Sequence, residues 1–162
     1  MTPTRIGTGF DAHRLVDGRP LMLGGVHIAH PQGLEGHSDG DCLVHAVCDA
    51  ILGALGAGDM GGHFPSTDAR WKGAPSLRFL ESVARLADER GYGIGNLDAT
   101  VIAQAPVLAP HIGAMRAQIA QALAAPVEAV SVKAKSTDGL GAIGRGEGIA
   151  AQAVVLLQRR DR

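Results

Sequence analysis

Aromatic side chains are scarce: three Phe, one Trp and one Tyr make up 3% of 162 residues. The core therefore has to be built from Ala, Val, Leu and Ile. There are only two cysteines, Cys42 and Cys48. Their spacing along one predicted helix keeps the side chains apart and excludes a mutual disulfide, so they read as small helix residues in a reducing compartment. A formal net charge of −1 leaves no basic footprint for nucleic acid and no polybasic tract for a membrane surface. Any phosphate has to be recognised locally, by backbone amides, a few cations or a metal. No stretch approaches the ~18 apolar residues of a membrane span, and "MTPTRIGTGF" lacks the apolar run of a signal peptide. Internal repeats, low-complexity tracts and long linkers are also missing. The expectation is one cytoplasmic domain over residues 1–162.

What is present suits a globular domain, with 46% hydrophobic residues. Residues 4–14 read as a strand with Gly7 and Gly9 inside it, glycine there marking a close backbone approach or a bulge. "RPLMLGGVHIAH" reads as a hairpin turning at Gly24-Gly25. "SDGDCLVHAVCDAILGAL" predicts a helix capped by Ser38, with Leu43, Val47, Ala50 and Ala54 on one face and Asp41, His45 and Cys48 on another. The glycine-rich stretch that follows, to Asp68, reads as an irregular loop. Ser76 is the expected cap of a second helix that Gly91 stops, and Pro110 opens a third. Strands are expected at 95–104, 128–136 and 148–158. The order argues for an α/β (α+β) fold, a single mixed sheet with helices packed on one face.

The chemistry is concentrated in a few clusters. Asp11 and His13 are two apart on a strand and so share a face. With His45 they offer one carboxylate and two imidazoles, the ligand set of a catalytic zinc that keeps a fourth position open. Asp11 as a turn residue and His13 as a satisfied polar group near a strand end remain an alternative. In "HSDGD", free amides at a helix start favour an anion and His37 can donate to a phosphate oxygen, although Ser38, Asp39 and Asp41 also suit any helix start. The loop "DMGGHFPSTD" offers Asp59, Ser66, Thr67 and Asp68 as polar hooks beside Gly61 and Gly62, or is a surface turn. His63 reads as a surface histidine, Trp71 as loop packing and Lys72 as solvated charge, while His27, His30 and His111 lack a nameable partner. "KAKSTDGLGAIGRGEG" sets Ser136, Thr137, Asp138 and Arg145 among glycines, like a phosphate-and-metal loop. It has no Walker A lysine, and its glycine spacing says little about a dinucleotide.

Taken together, "GFDAHRL", "GLEGHSDGDCLVHAVCDAILGALGAGDMGGHFPSTD", "NLDATVIAQAPVLAPHI" and "VKAKSTDGLGAIGRGEGIA" resemble the 2-C-methyl-D-erythritol 2,4-cyclodiphosphate synthase family in order and spacing, over nearly the whole chain. The resemblance implies a lyase of the non-mevalonate isoprenoid pathway. Its substrate is the cytidine diphosphate compound 4-diphosphocytidyl-2-C-methyl-D-erythritol 2-phosphate, whose 2-phosphate attacks the β-phosphorus, releasing CMP and closing a cyclic diphosphate. By position it implies Asp11, His13 and His45 as ligands of Zn2+, and Asp138 as ligand of a second divalent ion, Mg2+ or Mn2+. His37 and Ser136 become the catalytic residues that stabilise the transition state.

The implied substrate contacts begin with Asp11, Ala12, His13, His37 and Ser38. Asp59, Met60, Gly61, Phe64, Pro65, Ser66, Thr67 and Asp68 would hold the methylerythritol and phosphate end. Ala103, Gln104, Ala105, Pro106, Val107, Leu108 and Ala109, with Lys135, Ser136, Thr137 and Asp138, would wall the cytidine pocket, and Ala142 and Arg145 complete the set. The family resemblance further implies a homotrimer with sites between subunits. Phe10, Arg145 and Glu147 would line an axial cavity able to take an isoprenoid diphosphate. Departures from the family pattern are Asp138 for Glu, Gly139 and Val107 each for Lys, Ala142 for a bulky residue and Ser66 for Asp. They are expected to weaken substrate or second-metal binding without abolishing activity. The rival readings are a metal-dependent phosphohydrolase and a non-catalytic isoprenoid-diphosphate-binding trimer.

Overall fold

The computed structural model describes residues 4–160. Strand β1 (Thr4–Asp17) is followed by three short strands, β2 (Leu21–Leu23), β3 (Val26–Ile28) and β4 (Gln32–Leu34). Helices α1 (Cys42–Leu55), α2 (Met60–His63) and α3 (Leu77–Glu89) lead into β5 (Tyr92–Ile102). Helix α4 (Ile112–Ala122), β6 (Val130–Lys135), α5 (Gly141–Gly144) and β7 (Gly148–Arg159) complete the chain. The main sheet has the order β4-β1-β7-β5-β6. Only β5 and β6 pair in parallel; the other pairs are antiparallel. The expectation of a single sheet needs one correction. The β2–β3 hairpin turns at Gly24-Gly25 as read from the sequence, but forms a separate two-stranded sheet, because β4 already occupies the free edge of β1.

The helices cover one face of the main sheet. Along β1, Gly7 and Gly9 are buried while Ile6, Thr8 and Phe10 are exposed, the period-two alternation of a sheet covered on one side. Helix α1 lies directly on that glycine strip. A Cβ on Gly9 would stand 1.9 Å from the Ala46 carbonyl oxygen, and one on Gly7 would stand 1.9 Å from that of Ala50. The two backbones are in contact, and Ala46, Ala50 and Ala54, four residues apart, are the stripe of α1 that allows it. On the far side α1 meets α3, so it is buried almost all round rather than on one face. His45 does fall on a different face from Leu43, Val47, Ala50 and Ala54, on a more open stripe with Asp49 and Gly53, but Cys48, expected on that face with it, is buried. Leu43, Val47 and Cys48 are equally buried, since helix α1 is the centre of the core.

Two expected caps are also corrected. Asp41, not Ser38, caps α1: its carboxylate accepts from the amides of Val44 at 3.0 Å, Gly24 at 2.9 Å and Gly25 at 2.7 Å. A carboxylate accepts several amides where a hydroxyl accepts fewer, so Asp41 also ties the hairpin turn to the helix start. Burial pushes its carboxyl up, only partly offset by the Gly25 and Val44 amides. Ser76 precedes α3 but makes no capping bond with its side chain. Gly91, at φ +80°, ends that segment as expected. Cys42 and Cys48 are free and buried, and burial pushes both thiols up, which keeps them inert. Among the described residues no helix is long and apolar enough to cross a membrane.

The glycine contact makes a direct prediction. Gly9→Ala drives a methyl group into the backbone of α1 and lowers stability by about 3 kcal/mol or more, read as the shift in a urea unfolding midpoint. An unchanged midpoint would mean that α1 does not rest on β1 as described.

Candidate active site

The packing of α1 on β1 sets the position of the ligand cluster. Four residues of helix advance ~6.0 Å and two of strand ~6.7 Å, so helix and strand keep pace. Gly7 meets Ala50, Gly9 meets Ala46, and the next inward residues of β1, Asp11 and His13, arrive beneath His45. Asp11 Oδ2 lies 2.7 Å from His13 Nε2 and 2.9 Å from His45 Nδ1, and the two ring nitrogens are 3.3 Å apart. Bonds of ~2.0–2.1 Å to a tetrahedral zinc hold neighbouring donors ~3.3 Å apart, so a slight opening of this triangle fits the ion. Asp11, His13 and His45 are the one such cluster among the described residues.

The second nitrogen of each ring is also engaged. His13 Nδ1 faces the Glu35 carbonyl at 2.5 Å, and His45 Nε2 faces Ser76 Oγ at 2.9 Å and Ser38 Oγ at 3.2 Å. Ser76 Oγ donates in turn to Asp39. Burial tends to raise the Asp11 carboxyl, but the hydrogen bonds and charges of the two histidines outweigh it and hold it far below the usual carboxylate range. Burial tends to lower His13, yet the hydrogen bond to Asp11 and its charge raise it above an ordinary histidine.

The triad opens onto a cleft of about 370 Å³. Of the residues expected at the site, Asp11, His13, His37, Ser38, His45, Asp59, Met60, Gly61, Phe64 and Ser66 line it. Asp59 accepts from the Gly62 amide at 3.0 Å and caps α2, a single helical turn where an irregular loop was expected. The cap lets the glycines of "DMGGH" wind tightly despite their poor helix propensity. Pro65, Thr67 and Asp68 continue the loop outside the cleft lining. Asp68 pairs with Arg70 at 2.6 Å, and its carbonyl accepts from His37 Nε2 at 3.2 Å. Ala12 points to the opposite, open face of the sheet.

The remaining expected residues form a second group at the end of β5 and β6. Ala103 donates its amide to the Lys135 carbonyl at 2.9 Å, and Gln104 Oε1 accepts the Gly139 amide at 3.0 Å. This links the segment Ala103 to Ala109 (with Gln104, Ala105, Pro106, Val107 and Leu108) to Lys135, Ser136, Thr137 and Asp138. Ser136 Oγ donates to Asp138 Oδ1 at 3.2 Å. Asp138 and Gly139 sit at φ +51° and +79°, which an acid tolerates and a glycine favours. Ala142 lies in α5, and Arg145 pairs with Glu147 at 2.6 Å just beyond it. None of these residues lines the triad cleft. They share its end of the sheet, but β7 and β5 lie between β1 and β6, a separation of roughly 14 Å at ~4.8 Å per strand.

Sequence reasoning missed several contributors. Trp71, read as loop packing, and Phe79 line the cleft with Phe64, at centroid separations of 5.3 Å (Phe64–Trp71), 5.3 Å (Trp71–Phe79) and 4.7 Å (Phe64–Phe79). A chain with few rings thus gathers most of them beside the ligands, a scarcity that was itself the signal. Asp49 also lines the cleft and accepts the Met60 amide at 2.8 Å; burial pushes its carboxyl up. It lies one helical turn past His45, a spacing visible in the sequence. Arg19 donates to the carbonyls of Gly36 at 2.9 Å and Ser38 at 2.7 Å, bracketing His37. Nothing local in the sequence announces that contact.

The YgbB family matches residues 4–158. The 2-C-methyl-D-erythritol 2,4-cyclodiphosphate synthase of Shouchella clausii is 59% identical over 157 residues, 97% of this chain and 99% of that protein. A solved 2-C-methyl-D-erythritol-2,4-cyclodiphosphate synthase, in a form bound to CDP, superposes with a TM-score of 0.87 at 40% identity, covering 94% of this chain and 99% of the other. The bifunctional IspDF from Campylobacter jejuni superposes with a TM-score of 0.95 at 42% identity; 99% of this chain matches 44% of that longer one.

Arg19→Ala removes two charge-assisted bonds and lowers stability by about 2 kcal/mol. Amide exchange at residues 36–38 should accelerate more than at α1. Equal exchange in wild type and variant would show that Arg19 does not hold the His37 loop.

Proposed function

The chain belongs to the YgbB family of 2-C-methyl-D-erythritol 2,4-cyclodiphosphate synthases, and on that premise we propose that its cleft converts 4-diphosphocytidyl-2-C-methyl-D-erythritol 2-phosphate to the 2,4-cyclodiphosphate and CMP. The observation that carries this reading is the convergence of Asp11, His13 and His45 at the mouth of a cleft lined by His37, Ser38 and the α2 turn. Asp11, His13 and His45 would hold Zn2+, which when bound supplies a Lewis acid for the β-phosphate. His37 and Ser38 bind and orient the phosphates, the His37 ring being steadied by the Asp68 carbonyl. A 2-phosphate oxygen attacks the β-phosphorus as the bond to the α-phosphate oxygen breaks. CMP leaves with the electron pair, and water is not consumed. The aromatic wall of Phe64, Trp71 and Phe79 keeps water from the carbon skeleton. Catalysis on this account is positioning and charge neutralisation.

The cytidine end falls to the second group, Ala103 to Ala109 with Lys135 to Asp138, and Asp138 would hold Mg2+ or Mn2+. Two features support a homotrimer whose sites lie between subunits. The second group stands about three strands from the triad of its own chain. The open face of the sheet also leaves Ile6 69%, Phe10 63% and Val154 40% exposed, apolar surface that a neighbouring subunit would cover. Phe10, Arg145 and Glu147 would then line the axial cavity for an isoprenoid diphosphate. We place the protein in the cytoplasm, by its similarity to bacterial metabolic enzymes.

Phosphorus NMR of the protein with substrate, zinc and magnesium tests the reaction. The expected spectrum shows cyclic diphosphate rising in step with CMP. CMP with a linear product would instead indicate hydrolysis, and ligand binding without CMP a non-catalytic protein. Asp138→Glu restores the longer carboxylate and should lower the magnesium concentration for half-maximal rate a few-fold. An unchanged requirement would remove Asp138 from the second-metal site. The Lys common at 139 is a poorer test, since Gly139 at φ +79° disfavours a side chain.

A further inference from the structure

We propose that Asp39 and Ser76 are positioning residues that fix the metal-binding form of His45 and thereby set the affinity of the triad for its ion. The proposal rests on the metal reading of Asp11, His13 and His45. Ser76 is fully buried and makes no capping bond to α3, so its hydroxyl has other partners. That hydroxyl carries one hydrogen, which it donates to Asp39 Oδ1, while the Ser76 amide donates to Asp39 Oδ2 at 3.0 Å. An ionised carboxylate can only accept. The serine oxygen can then only accept from His45 Nε2, 2.9 Å away. With the ion bound, the proton of the ring is then held at Nε2, and Nδ1, which faces Asp11 Oδ2 and His13 Nε2, is left with its lone pair free for the ion. Ser38 Oγ, 3.2 Å from the same Nε2, is a second acceptor, and the Asp41 amide steadies Asp39 Oδ1 at 3.1 Å.

The polarity of this chain of bonds runs one way, from carboxylate to hydroxyl to imidazole to metal position. Partners of this kind raise the basicity of a ligand and fix its orientation. His13 has the equivalent support from the Glu35 carbonyl, which no side-chain substitution removes. His45 is therefore the ligand whose support is exposed to mutation. Asparagine at position 39 offers one oxygen to the three donors that the Asp39 carboxylate accepts, so the serine hydrogen is no longer fixed away from Nε2.

The test is zinc affinity by competition with a chromophoric chelator, together with thermal unfolding of the metal-free proteins. Ser76→Ala and Asp39→Asn should each weaken zinc binding about 10- to 100-fold, with Ser76→Thr restoring it, while the metal-free midpoints of the variants stay close to wild type. Zinc affinity unchanged in Ser76→Ala overturns the proposal, as does a loss that merely follows metal-free instability. Wild-type protein that binds no zinc overturns the metal reading itself, a distinct result. If the variants do not fold, NMR of the zinc-loaded wild type decides. A slowly exchanging His45 Nε2–H supports the relay, and exchange at the rate of a free imidazole rules it out.

Discussion

The contact between the backbones of β1 and α1 is the constraint from which the rest follows. It requires Gly7 and Gly9 on the strand and small residues on the helix, where Ala46, Ala50 and Ala54 provide them. A helix seated this deeply is covered by the sheet below and α3 above, with only the stripe of His45, Asp49 and Gly53 left more open, which is why the rest of its sequence is apolar. A core assembled at this distance has little room for rings, and the residues of β7 that face α1, such as Ala151 and Ala153, are small as well. The scarcity of aromatics is thus a consequence of close packing. The few rings present are free to wall the cleft.

The same contact builds the site. Strand and helix advance in step, so the glycine strip ends where Asp11 and His13 begin, and His45 reaches them from the first turns of α1. The ligands need no long loop to bring them together. Regular elements carry the triad, and the rest of the cleft wall, α2 and the segment to Asp68, is tied to α1 by the bond from the Met60 amide to Asp49.

Much of this was legible in the sequence. Periodicity placed the principal helices and strands, the glycines in β1 announced a close approach, and Asp11, His13 and His45 were identified as a ligand set. What sequence reasoning missed depends on tertiary partners. Asp41 rather than Ser38 caps α1 because the hairpin turn brings two further amides to its carboxylate. Ser76 looks like a cap, but its hydroxyl is taken by Asp39 and His45 from other parts of the fold. Trp71 and Phe79 belong to the cleft only because α3 packs across α1. The separation of the two groups of expected site residues was equally invisible, since it follows from strand order and not from spacing along the chain.

On the proposed function, β1 and α1 together hold one ion through three atoms, one each from Asp11, His13 and His45. Anomalous diffraction at the zinc edge, from crystals grown with zinc, addresses this most directly. The expected map has a peak bonded to an Asp11 carboxylate oxygen, His13 Nε2 and His45 Nδ1 at ~2.0–2.2 Å. A peak elsewhere, or one bonded through the opposite nitrogen of either ring, would contradict it.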